Sequence, residues 1–129
     1  IKKLRALLST GGRLVVTTPN AHYFRNSLPT FSALGDPAQW EDRQFTADGD
    51  GHFFAYTLEE LLEIFLNSGL QKVCGKFFET PFLSGHAKIR HLQGLFPVSV
   101  LRLCDRAALA FPLTGRRLAH QLMVTGVST

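Results

Sequence analysis

The chain is poor in the groups that staple small proteins together. It has two cysteines in 129 residues. Cys74 and Cys104 are too few for a disulfide framework and too far apart for a CxxC site, so reduced thiols in a cytoplasmic setting are expected. No stretch approaches the roughly eighteen continuous apolar residues of a membrane-spanning helix, and no signal peptide is recognisable. Neither GxGxxG nor a Walker sequence occurs. Gly11-Gly12 does not replace them, because it precedes a strand-like run, whereas phosphate and dinucleotide loops follow a strand and open a helix. The start also lacks a methionine and a capping residue. Ile1, Leu4, Leu7 and Leu8 already form a helical stripe there, which leads us to expect a piece of a longer protein that begins within a helix.

Acidic residues are missing from both ends. Residues 1–30 hold five basic and no acidic groups, residues 31–80 three and nine, and residues 81–129 six and one, which together give the net charge of +4. The basic residues stand mostly singly, not interleaved with stacking aromatics, so nucleic acid is not an expected partner. Arg116-Arg117, beside an apolar stretch, are instead suited to an anionic substrate or headgroup. Metal is not expected either. Asp48, Asp50 and Glu59 take the first, third and twelfth places of an EF-hand loop, but Phe53 fills the place that needs glycine. On a helix His86 and His91 would point well apart, with no carboxylate at ligand spacing.

What is present favours one α/β domain with a single core, since 45% of the chain is hydrophobic. In GGRLVVTTPN (Gly11–Asn20), the glycines stop a helix, Leu14 to Thr18 is a β-branched apolar run, and Pro19 ends it. A short unalternated run of this kind suits a strand covered on both faces, and ligands gather where such strands end. Asn20, His22 and Tyr23 then fall on a ligand-facing rim. Arg25 to Asp50 reads as a long irregular excursion, with a short helix near Pro37 to Asp42 and enough aromatics (Phe31, Trp40) to serve as a cover. Thr57 and Glu60 form a capping box, Tyr56 and Leu61 a hydrophobic staple, and Leu58, Leu61, Leu62, Phe65 and Leu66 the core stripe of a helix ended by Gly69. Val73 to Phe78 reads as a strand stopped by Pro81. Val98 to Phe111 reads as a helix between Pro97 and Pro112, with a wide apolar face and a narrow polar one at Arg102, Asp105 and Arg106. His120 to Val127 reads as a final strand.

In combination, Leu7 to Asn20, His52 to Leu70 and the strands Gln71 to Glu79 and His120 to Val127 resemble the C-terminal half of class I S-adenosylmethionine-dependent methyltransferases. The resemblance implies a Rossmann-like α/β fold, a mixed sheet whose final strand lies antiparallel between the first strand and the Val73 strand, and a helical insertion. It further implies that residues 1–129 are the C-terminal part of one methyltransferase domain whose N-terminal, cofactor-binding half precedes them. S-adenosylmethionine is then the methyl donor in the parent protein, with direct displacement at its methyl carbon. A small-molecule or lipid-linked acceptor is bound at Asn20, His22 and Tyr23, and His52 takes the acceptor's proton. With its neighbouring strands absent, the piece is expected to self-associate. A second reading of the same residues is a non-catalytic α/β module that binds a protein partner or a membrane surface through the helix 98–111.

Overall fold

Gly11, in the left-handed region at φ 78°, turns the chain out of its first helical segment and into a strand. The computed structural model describes residues 1–36, 38–40, 51–85 and 91–129. Within them the elements run α1 (Lys2–Arg5), β1 (Arg13–Pro19), α2 (Leu58–Asn67), β2 (Gln71–Phe78), α3 (Pro81–Ser84), α4 (Leu92–Leu95), α5 (Val98–Ala110), α6 (Pro112–Leu118) and β3 (Gln121–Val127). The fold is mixed α/β, with a small sheet in the order β1-β3-β2. β3 is antiparallel to both neighbours, as expected, and pairs Val16 with Val124 on one side and Gly75 with Val124 on the other. At one end the pairing is closed by Gly11 N–H donating to Ser128 O at 2.8 Å and Ser128 N–H donating to Gly12 O at 2.8 Å.

The strand order puts Leu14 and Val16, Leu122 and Val124, and Val73, Gly75 and Phe77 on one face. The core cluster of Leu61, Phe65, Leu70, Leu122 and Val124 forms there, beneath α2. Each fully buried leucine or phenylalanine contributes about 1.5–3 kcal/mol. Two strand glycines let the helix approach closely: a Cβ at Gly75 would stand 2.6 Å from Leu58 Cδ1, and one at Gly126 3.1 Å from Phe65 Cδ1. α2 begins at the expected capping box, where Glu60 N–H donates to Thr57 Oγ1 (3.1 Å) and Thr57 N–H to Glu60 Oε2 (2.8 Å). Tyr56 packs against the cluster that holds Leu61, as the staple requires.

Four expectations need correction. The sheet is covered on one face only: β1 alternates exposed and partly buried, and Val15 is 50% exposed. Val15 shares its open row with Thr125 and Cys74. The first helix is a single turn, with Leu4 and Leu7 of its stripe exposed, because only Ile1 and Leu8 reach the core. Leu66 is exposed on the far side of α2. Asp105 is not on a solvent-facing stripe: it is buried, and its Oδ1 accepts from Thr80 N–H (2.9 Å) and Thr80 Oγ1–H (2.7 Å). This bond pins α5 to the end of β2. Of the expected helix near Pro37 to Asp42, Ala38 to Trp40 forms one 3₁₀ turn and the remainder lies outside the described residues, as do Asp48, Asp50 and His86.

Candidate functional site

Pro19 ends β1, and the chain then turns on Asn20, whose side chain is an internal strut. Its amide donates to Arg116 O and to Ala119 O, both at 2.7 Å, and its Oδ1 accepts from His22 N–H at 3.0 Å. Asn20 N–H donates to His120 O at 3.0 Å. With the residue 1% exposed, both side-chain ends are spent on the fold, so Asn20 shapes the rim from within.

His22 follows on that turn. A guanidinium has only donors, so Arg116 Nη2 donates to His22 Nε2 across 2.9 Å. The ring proton therefore sits on Nδ1, which is buried and has no hydrogen-bond partner among the described residues. Buried donors are normally satisfied, so this N–H stands out as an unmet donor within the rim. Arg116 is oriented in turn by Glu59 Oε1 at 3.2 Å, an exposed ion pair that positions more than it stabilises.

Tyr23 is buried, edge-on to Phe24 with ring centroids 4.9 Å apart, and tilted to His120 at 6.0 Å. Burial pushes its hydroxyl pKa up, and the nearby Arg25 charge offsets this in part. The phenol therefore keeps its proton at neutral pH. At the same end of the sheet, His120 Nδ1 donates to Glu79 O at 2.8 Å and its Nε2 stands 3.7 Å from the Glu79 carboxylate. Glu79 is held in the left-handed region at φ 61°, a conformation that costs energy for a residue with a Cβ.

The structure thus brings Asn20, His22 and Tyr23 together and adds Arg116, Glu59, Glu79 and His120. Arg116 is 94 positions from His22, and no local spacing reports such a pair. His52 is exposed, on the segment that leads into Ala55 and Tyr56. That segment is tied to the rim by the parallel bridge between Asn20 and Tyr56 and by Ala21 N–H donating to Tyr56 O at 2.9 Å. Among the described residues the hydrogen bonds that hold Asn20 and His22 run to Arg116, Ala119 and His120.

No family model, curated protein or solved structure matches the chain. Among the described residues no three His, Cys, Asp or Glu side chains are placed to hold a metal ion. A shallow pocket lies at the other end of β1, where Lys2, Arg5, Ala6 and Leu8 meet Ser128.

Proposed function

We propose that residues 1–129 are the C-terminal part of a class I S-adenosylmethionine-dependent methyltransferase domain of Rossmann-like α/β type, and that they supply the acceptor side. The observation that supports this reading is the strand arrangement. β1 and β2 are parallel to each other and linked through α2, while β3 enters antiparallel between them, as the resemblance implies for the end of such a domain.

This chain does not itself fit the methyl donor. The amide N–H groups of Gly11 and Gly12 are spent on Ser128 O and Ser9 O, each at 2.8 Å, and no glycine-rich turn opens a helix after a strand among the described residues. The donor site belongs, on this reading, to residues upstream of Ile1.

For the acceptor, the chain offers a division of labour. His22 presents Nδ1–H to an acceptor oxygen, Tyr23 walls the rim, and Asn20 keeps both in place. His52, on the segment bridged to the same rim, is the group we assign to take the acceptor's proton. Four extended residues span at most about 14 Å, so His52 stays within that reach of Tyr56.

The test compares this chain with the natural protein extended by its upstream residues. Calorimetry with S-adenosylhomocysteine should show binding by the extended protein and none by this chain. In the extended protein, His52→Asn should lower turnover by about 10²- to 10⁴-fold with cofactor affinity unchanged. A folded, extended protein that binds no S-adenosylhomocysteine would remove the reading.

A further inference from the structure

Helix α5 is turned inside out. Its one acid, Asp105, is buried on the face that meets Thr80, while Leu103 is 68% exposed on the opposite side. Val100, Leu103, Ala107 and Ala110 recur at steps of three and four, all exposed, and the stripe runs on to Phe111 at 67% exposure. An apolar side chain exposed singly is ordinary, but a periodic stripe on one helix face marks a surface that meets something. Arg102 and Arg106, both exposed, lie along one flank of the stripe.

Charge decides what this surface meets. Asp105 is the only acidic residue between positions 81 and 129, against six basic ones, and its burial leaves the outward face of α5 with positive charge alone. A second copy would set arginines against arginines with no carboxylate on the face to receive them. An anionic bilayer supplies both complements at once: headgroups for Arg102 and Arg106, and an acyl boundary for Leu103 and Phe111. The helix is about 20 Å long, and no helix among the described residues is long and apolar enough to cross a membrane, so α5 would lie along the surface.

We propose that the outward face of α5 docks the protein on anionic lipid bilayers. This does not depend on the methyl-transfer reading. Leu103 and Phe111 insert at the acyl boundary, and Arg102 and Arg106 pair with lipid phosphates.

The test is flotation of the full chain with vesicles of phosphatidylcholine, alone or mixed with phosphatidylglycerol. Binding is expected on the mixed vesicles, weakening with salt, and not on the neutral ones. Arg102→Gln with Arg106→Gln should weaken it by roughly 25-fold, about fivefold per arginine. Leu103→Ser with Phe111→Ser should abolish it without shifting the melting temperature, both sites being exposed. Phe111→Trp supplies a readout that deletes no apolar contact: its fluorescence should shift to the blue on mixed vesicles only. No flotation of folded protein, flotation that survives the serine substitutions, or no spectral shift at position 111 would each overturn the proposal. So would lipid-free self-association that the serine substitutions abolish, since a second copy would then cover the face.

Discussion

Two side chains carry disproportionate weight in this molecule because each satisfies several backbone groups at once. Asn20 supplies two donors to the carbonyls of Arg116 and Ala119 and one acceptor to His22 N–H. Asn20→Ala leaves all three unmet and should cost about 2–4 kcal/mol, read as a fall in the urea midpoint. Glu60 is the second. Burial alone would raise its carboxyl pKa, but hydrogen bonds from Ser32 and Thr57 outweigh this and leave it lowered. Its stabilising effect is therefore fully present above the ordinary glutamate value near 4.3 and is lost as pH falls through the lower folded-state value. Melting temperatures measured across that acid window should fall for the native chain, and Glu60→Gln should flatten this part of the fall. The capping role of Glu60 was legible because the code is local: a threonine, a glutamate three residues on, and an apolar run. The rim offered no such code. Sequence placed Asn20 and His22 on it through Pro19, but it could not report that Asn20 turns inward or that Arg116 fixes the tautomer of His22.

Among the elements, α5 shows how far periodicity reaches. The sequence bounds it well, because Pro97 and Pro112 mark its ends, and its apolar residues have helical spacing. Periodicity shows that a stripe exists and is silent on which side the protein covers. The buried side holds Leu101 and Asp105, and the bond from Asp105 to Thr80 spans 25 positions. Asp105→Ala should strand Thr80 N–H and its hydroxyl in a dry site and destabilise the protein by about 2–4 kcal/mol. A double-mutant cycle with Thr80→Val should show coupling, because Thr80→Val removes one of the two donors beforehand. Additive losses would mean that Asp105 acts through packing alone.

At the scale of the molecule, the sheet is open on two counts: one of its faces is exposed, and among the described residues β1 is an outer strand that pairs with β3 alone. Leu14 to Val16 looked like a strand covered on both faces, yet the run is equally the sequence of a strand whose second cover comes from elsewhere. Composition cannot separate the two. An exposed outer strand with Val15 on its open row is a template for pairing with another chain, so concentration-dependent self-association is expected in sedimentation. Val15→Lys places a charge on that row and should reduce it while leaving the free energy of unfolding within about 0.5 kcal/mol of the native value.

The central position of β3 has a consequence for synthesis. Of the three described strands, the one that comes last in the chain holds the other two together, so β1 and β2 have no link to each other within this sheet until Gln121 to Val127 follows. Chains halted at Leu118 should therefore be protease-sensitive throughout. Adding the residues through Ser128, whose backbone closes on Gly11 and Gly12, should convert them to the resistant form in one step.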